Sequence, residues 1–460
     1  MEKQAIMGRG AFFKTAVTIA MPIMVQNLIS TLVNSADTIM LGYVSQNAMS
    51  ASSLANQLHL VLTMALFGLA TGASVLTAQY WGKKDCATIE RVLGLALRFS
   101  LSIALLVFLA AFCIPETFMR CFTSEAEIIR EGARYLRIIS FSYLFMGFSQ
   151  IYLAVQRSVE RVILPTVTYV VSLTLNVTIN AVFIFGLFGL PRLGLAGVAL
   201  GTVAARLAEF LICIGHSLYN RIAKFRPALL FARAGILMKD FLKLSIPSLV
   251  NDVVWSLAFS MYSVIMGHLG SDAVAANAVA NMALNIGAVV CRGFANATTI
   301  IIGKTLGENN MEAARLYARR MTWLTSIFSI LGGLVIISIR PLMLNLYADK
   351  LSAQALSYLS AMMLMQSYHL WGEGINTCWI CGCFRGGGDS RFGMILDTLF
   401  MWCVAVPLMA LAAFVFKLPV IWVYFVMCLD EFEKMLPAFW HYRSFGWLKN
   451  ITREQSELEA

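Results

Sequence analysis

The chain has 460 residues, of which 59% are AVILMFWYC and only 13% charged, with a mean hydropathy of +0.74; ordinary soluble domains carry ~25% charge, so a water-soluble globule is excluded. The formal net charge of +10 reads as loop charge and attraction to lipid headgroups, with no nucleic-acid surface implied. Ten cysteines are scattered, mostly inside apolar stretches. Cys378, Cys381 and Cys383 lack a paired ligand set and are read as small residues that let helices approach closely.

Twelve apolar stretches able to cross ~30 Å of hydrocarbon follow one another. They lie at about 14–36, 48–77, 88–114, 135–156, 163–186, 194–219, 240–266, 274–302, 318–339, 355–383, 392–415 and 418–441. The first is long, lacks a small-residue cleavage site and leads into the next, so it is read as a span and not a cleavable signal. Between the third and fourth, Glu116, Arg120, Glu125, Glu127, Arg130, Glu131 and Arg134 suggest a short amphipathic external helix. The longest basic stretch, Asn220 to Lys239, contains Arg226-Pro227 and is read as a linker. The last residues, Asn450 to Ala460, are polar and acidic and read as a frayed end. Assigning the loops alternately to two sides gives 23 cations on one side and eight on the other. The positive-inside rule then places both termini in the cytoplasm, and an even number of spans is required for that.

The first half of the chain is written again 225 residues later. Pro22 and Pro247, Gly42 and Gly267, Asn56 and Asn281, Gly68 and Gly293, and Gly82 and Gly307 all share that offset. Around them Ser53-Leu-Ala-Asn56 answers Ala278-Val-Ala-Asn281, and Tyr80-Trp-Gly-Lys83 answers Thr305-Leu-Gly-Glu308. Six spans per half is even, so both halves have the same orientation, related by a pseudo-two-fold axis along the membrane normal. The expected fold is an all-α membrane protein of twelve transmembrane helices in two six-helix lobes: residues 1–219, a cytoplasmic linker 220–239, and residues 240–460. Duplicated helical halves are an architecture of secondary transporters, which bind substrate between the repeats.

Ionisable and amide side chains inside spans mark candidate sites. Asp37 follows Pro22, a potential hinge, and is either an interfacial acid or a cavity carboxylate able to hold a proton or ligate Na⁺. Asn176 and Asn180 share one helix face at i, i+4; they supply further oxygen ligands or bridge helices by hydrogen bonds. The register partner of Asp37 is Tyr262, so the second half lacks that acid. Gln26 and Asn27 stand opposite Asn251 and Asp252, a polar pair kept at one depth, lining a cavity or buried and satisfied. Asn281 and Glu373 are further cavity candidates, with Arg292 and Glu373 lacking an obvious partner in sequence. Arg206 and Glu209, at i, i+3, are expected to neutralise each other. The run Asp430, Glu431, Glu433, Lys434 is expected at the interface. Some of the 24 Met and 30 Phe can line a cavity that repacks around varied apolar guests.

Enzyme signatures are missing. Gly303-Lys304-Thr305 looks like the end of a P-loop, but Thr298 stands where the earlier glycine is needed and a span precedes it. Gly386-Gly387-Gly388-Asp389 is a turn between spans. No HExxH or GxSxG occurs, so no enzymatic activity is expected.

With Pro22, Asp37-Thr-Ile-Met-Leu-Gly42, Asn176 to Asn180 followed by Phe183-Ile-Phe-Gly186, Leu193-Gly-Leu-Ala-Gly197 and Arg385-Gly-Gly-Gly-Asp389, the chain resembles the multidrug and toxic compound extrusion (MATE) family over essentially its whole length. The resemblance implies an ion-coupled antiporter working by alternating access of two six-helix lobes. For the branch with an amino-lobe ion site it implies that Asp37 is the coupling acid, with Asn176 and Asn180 beside it. The position of Asn180 is often acidic in the family, so this chain keeps one carboxylate there and leaves H⁺ or Na⁺ coupling open. Trp255 stands where the other branch has its seventh-span acid. The first half departs from the Arg-Gly-Gly-Gly pattern at Arg157-Ser-Val-Glu160. The expected protein is a monomeric, multi-pass transporter of the bacterial inner membrane, surrounded by lipid and needing no cofactor beyond H⁺ or Na⁺. Its expected substrates are small amphipathic, cationic compounds. The alternative is a lipid-linked oligosaccharide flippase of the same superfamily, for which Arg98, Arg206 and Arg292 would converge on one cationic cavity.

Overall fold

A computed structural model describes the backbone of residues 6–42, 46–220, 222–232, 235–454 and 457, and the side chains of the same ranges except 31–47. All regular elements among them are helical. Ten spans are α1 (Arg9–Gly42), α2 (Gln46–Gly82), α3 (Cys86–Cys113), α4 (Ala126–Ser158), α5 (Ile163–Phe185), α6 (Leu195–Tyr219), α7 (Gly235–His268), α8 (Ser271–Gly307), α9 (Met311–Leu346) and α11 (Ser390–Val415). Two more are helical in pieces. In α10 (353–384) the α-helix Ala353–Thr377 runs on as a π-helical segment, Cys378–Phe384. In α12 (420–444) the pieces are Val420–Met427, Asp430–Glu433 and Met435–Ser444. The twelve expected spans are therefore present in order, most of them longer than their apolar stretch. One expectation needs correction. The charged segment after α3 holds only the short helix Pro115–Arg120, and its second part, from Ala126, is the first turns of α4. A helix already nucleated by an apolar span extends into charged sequence cheaply.

The repeat reaches atomic detail. α2 and α8, α3 and α9, and α6 and α12 each begin 225 residues apart. In the turn after α2, Lys84 has φ 61°, and in the turn after α8, Asn309 has φ 57°. Asp85 then caps α3 by accepting from the Thr88 N–H, as Asn310 caps α9 by accepting from Ala313. Such caps satisfy donors that the first helical turn leaves open. Farther on, Glu160 has φ 63° where the second half has Gly388 at φ 83°. The first half thus makes, with a side chain, the left-handed turn that the second half gives to glycine.

Packing divides the chain differently from sequence. One compact unit is Met1–Met24 with Val250–Ile451; the other is Val25–Leu249 with Thr452–Ala460. So α1 and α7 each change unit in mid-helix, two residues after Pro22 and Pro247, and the two crossing points are again 225 apart. The division at 1–219 and 240–460 follows the repeat, whereas the units follow contact. Before its crossing, α1 is held by stacking of Phe12 on Tyr317, with ring centroids 5.0 Å apart, and by Arg320 donating to the Met7 carbonyl at 2.7 Å. The start of α7 packs Phe241 on Phe99, centroids 5.9 Å apart.

Glycine marks both crossings. A Cβ on Gly68 of α2 would lie 2.5 Å from the Leu249 Cβ and 2.8 Å from its Cα; one on Gly293 of α8 would lie 2.3 Å from the Met24 Cγ. The repeated glycine meets the repeated last residue of the exchanged segment.

The linker and the tail are both docked. Arg98 donates to the Leu230 and Ala232 carbonyls, and Arg226 pairs with Glu90 at 2.7 Å. Trp447 is fully buried, and the Lys449 N–H bonds the Gly387 carbonyl at 2.9 Å. Farther on, Arg453 grips Asp240 with two hydrogen bonds, 2.6 and 3.1 Å. The tail through Glu454 is therefore ordered by ion pairs and not frayed as its composition suggests; residues 455–456 and 458–460 lie outside the described set.

The glycine contacts set a graded outcome. Gly68→Ala forces two backbones apart and should cost about 1–3 kcal/mol, read as a lowered thermal unfolding temperature in detergent. Gly293→Ala should cost less, because the Met24 side chain can swing away. Gly267→Ala, with nothing within 4 Å of its Cβ, should leave stability equal or raise it by up to about 1 kcal/mol.

Candidate ion and substrate sites

In the unit containing Val25–Leu249, the buried face of α5 recurs every three to four residues: Pro165, Thr168, Ser172, Asn176, Asn180 and Ile184. Four of these are polar, Thr168, Ser172, Asn176 and Asn180. The Asn180 amide donates to the Asn176 Oδ1 at 3.2 Å, and the Asn176 amide donates to Thr202 Oγ1 at 3.3 Å. Thr168 Oγ1 is buried without a partner among the described residues. Gly201 makes room on α6, since a Cβ there would lie 2.0 Å from the Asn180 Oδ1. The structure therefore brings Asn176 and Asn180 together with Thr202, which sequence reasoning missed. Asp37 belongs to helix α1, but its side chain lies outside the described residues.

Gln26 is buried in the same unit. Its amide donates to Thr166 Oγ1 at 2.9 Å, and its Oε1 accepts from Arg157 Nη1 at 3.3 Å. Asn27 is half-buried next to it. The other unit repeats this brace, with the amide at an offset of 225 and the arginine at 228: Asn251 Oδ1 accepts from Arg385 Nη2 at 2.7 Å, and the same guanidinium nitrogen reaches Asp252 Oδ1 at 2.8 Å. Each bond joins the helix just past its crossing to the end of α4 or α10. Gln26 and Asn251, expected as cavity-lining candidates, have their amide groups turned into these braces.

The second brace continues into a charged network. Asn251 donates to Asp397 at 2.7 Å; Lys434 bonds Asp397 at 3.1 Å and Glu431 at 2.9 Å; Asn376 donates to Glu431 Oε2 at 2.8 Å. Asp430 lies 3.0 Å from His369 Nε2 and accepts from the Tyr262 hydroxyl at 3.3 Å. Asp430, Glu431 and Lys434 are thus at most 4% exposed, which corrects the expectation that this run is interfacial. Its partners come from α7, α10 and α11, and only their convergence makes burial of the charges tolerable. Asn281 accepts from Gln366 at 3.1 Å, and Gln366 also donates to Tyr424 at 2.6 Å. Arg292 and Glu373 find each other at 3.8 Å.

Arg206 and Glu209 form the expected pair at 2.7 Å. Its register equivalent is Glu431–Lys434, an ion pair of the same spacing with the signs reversed. Cys378 and Cys383 are buried free thiols on the π-helical segment of α10. There Thr299 of α8 bonds the Cys381 carbonyl at 2.8 Å, and a Cβ on Gly386 would lie 2.9 Å from the Thr299 Cα. Small residues at these positions serve close helix approach.

Removing the two arginines should separate the two braces. Arg385→Gln strands Asp252 and should cost about 3–5 kcal/mol. Arg157→Gln removes only a long bond to a neutral amide and should cost about 1 kcal/mol. Thermal unfolding of the two purified variants checks the order.

The MatE family model matches residues 22–182 and 247–425, two blocks that open at the paired prolines. The probable multidrug resistance protein YoeA of Bacillus subtilis (strain 168) is 25% identical over 445 residues, 94% of either chain. The probable multidrug resistance protein NorM of Thermotoga maritima is 23% identical over 454 residues, 96% of this chain and 95% of that one. A multidrug resistance MATE family transporter of the MOP superfamily, solved in an outward-facing conformation, superposes with a TM-score of 0.85 at 18% identity, covering 94% of this chain and 95% of that one. A MOP superfamily transporter from Pyrococcus furiosus gives 0.84 at 19% identity with the same coverage. At these identities the structural likeness speaks for the fold alone. The family model, matching most of the chain in both repeats, decides the rest: this multi-pass membrane protein belongs to the MATE family of multidrug efflux transporters and is a transporter, not an enzyme.

Proposed function

We propose that the protein is an antiporter that exports amphipathic, cationic compounds in exchange for H⁺ or Na⁺, with its termini in the cytoplasm of a bacterial cell. The observation that carries this reading is the buried polar face of α5. Gln26 of α1 bonds Thr166 of α5, and as odd-numbered spans the two helices run in the same direction. At 1.5 Å per residue, Asp37 lies about 16 Å beyond Gln26, while Asn176 and Asn180 lie about 15 and 21 Å beyond Thr166. The one acid of α1 thus falls level with the amide pair. A single carboxylate among neutral amide and hydroxyl oxygens suits one monovalent cation, because the bound state is then neutral in a medium that penalises charge. Asn180 in place of an acid keeps that count at one.

Ion binding at Asp37 drives export only by favouring one transport state over the other. Neutralising the carboxylate lets α1 change shape at Pro22, where a helical hydrogen bond is already missing, and the substrate is released outward. The flippase alternative asks for Arg98, Arg206 and Arg292 to be available to a pyrophosphate. Each is engaged instead: Arg98 by linker carbonyls, Arg206 by Glu209 and Arg292 by Glu373.

Asp37→Asn should reduce ion-driven ethidium export in proteoliposomes at least tenfold, with the variant still monodisperse. Imposing a Na⁺ gradient and a pH gradient separately identifies the coupling ion. A normal rate in the variant under both gradients would remove Asp37 from the mechanism.

A further inference from the structure

The unit containing Val250–Ile451 buries more acid than its fixed cations balance. Asp252, Asp397 and Glu431 form one connected network with Arg385 and Lys434, and the buried Asp430 lies beside it, next to Glu431 in the chain and close to the Lys434 charge. Four carboxylates face two permanent cations, and among the described residues of this cluster His369, bonded to Asp430, is the further group able to gain a positive charge. Lys434 is hydrogen-bonded to Glu431 and Asp397, and the side chains hydrogen-bonded to Asp430 are His369, its Nε2 3.0 Å away, and the Tyr262 hydroxyl. A nitrogen facing a carboxylate oxygen at that distance carries the hydrogen, which leaves Nδ1 as the lone-pair nitrogen of a neutral ring. Nδ1 is buried and has no partner among the described residues. The site is thus built to accept one proton at one atom.

The surroundings of the ring are acidic on several sides. On α10 itself, Glu373 lies one turn away, its Oε1 3.8 Å from Arg292 of α8 and its Oε2 buried without a partner. From α12 come Asp430 and Glu431, and around Asp430 lie Glu433, Lys434, Tyr424 and Cys428; from α7 comes Tyr262; and, through Lys434, Asp397 of α11. Donor atoms of His369, Asp430 and Glu431 lie within 4.8 Å of one another, close enough for a divalent metal ion. The Lys434 ammonium, 2.9 Å from Glu431, already occupies that acid and would repel such an ion. A proton adds charge without displacing it.

We propose that His369 is a second proton-carrying residue of this transporter. Its Nδ1 takes a proton from water to give an imidazolium held by Asp430, and returns it to water in another state of the transport cycle. At 5% exposure the ring is closed to solvent in the present conformation, so loading and release require conformational change, as coupling demands. Only the transport arm of the test depends on the antiport reading above.

The test begins with solid-state NMR of the full chain in lipid bilayers, with ¹⁵N-labelled histidine. There are five histidines, and the signal missing in His369→Gln identifies this one. Between pH 10 and pH 5 its Nδ1 should pass reversibly from lone-pair to protonated form, and in Asp430→Asn its proton affinity should fall at least tenfold. A ring that holds one protonation state across that range, or the same affinity in Asp430→Asn, overturns the proposal. In proteoliposomes His369→Gln, whose amide can still donate to Asp430, should cut pH-gradient-driven ethidium export at least tenfold. An unchanged rate overturns the coupling role even if the titration is seen. Saturable Mn²⁺ binding to the wild type that is lost in His369→Gln would replace the proton by a metal. If Asp37→Asn exports normally while His369 titrates and His369→Gln fails, the amino-half site is refuted and this one stands.

Discussion

The structure depends on two helices that change packing partners in mid-course. α1 and α7 each leave one compact unit and join the other two residues beyond a proline, at positions 225 apart. On one side of each crossing the helix lies close against a glycine, Gly68 against the Leu249 backbone and Gly293 against the Met24 side chain. On the other side an arginine reaches from the end of α4 or α10 to the first polar residue past the crossing, Gln26 or Asn251. Steric contact before the crossing and a hydrogen bond after it hold the register of both helices. Interiors packed at near-crystalline density do not absorb a slip between such contacts.

This duplicated frame carries unlike electrostatics. Around Gln26 the partners beyond Arg157 are neutral, whereas around Asn251 they lead to Asp252, Asp397, Lys434 and Glu431. The pair Arg206–Glu209 returns as Glu431–Lys434 with opposite polarity. Where the first half has Asp37, the second has Tyr262, and the Tyr262 hydroxyl bonds an acid supplied from α12. Close approach to the Leu249 backbone leaves little choice beyond glycine at Gly68. Burial of charge asks only that each group meet a partner, and that can be met from either helix with either sign.

Much of this was legible in the residues. Apolar length marks a span because unsatisfied backbone cannot lie in hydrocarbon, and the offset of 225 appears in Pro, Gly and Asn alone. The Arg206–Glu209 pair was readable because both members sit on one helix at i, i+3. Arg292–Glu373 and His369–Asp430 were not, since their members are 81 and 61 positions apart and a lone sequence carries no signal for such pairs. Composition misplaced the Asp430–Lys434 run and the tail for the same reason: charged residues look solvent-facing until their counter-charges are found.

The sequence by itself determined the number of spans, the duplication and the family, because hydropathy, glycine spacing and motif order are properties along the chain. Only the tertiary structure decided that α1 and α7 are exchanged between units, that Gln26 and Asn251 are braced by arginines, and that the second half encloses a surplus of acid around His369. Those depend on which helices meet, and meeting is set by packing between segments that lie far apart in the chain.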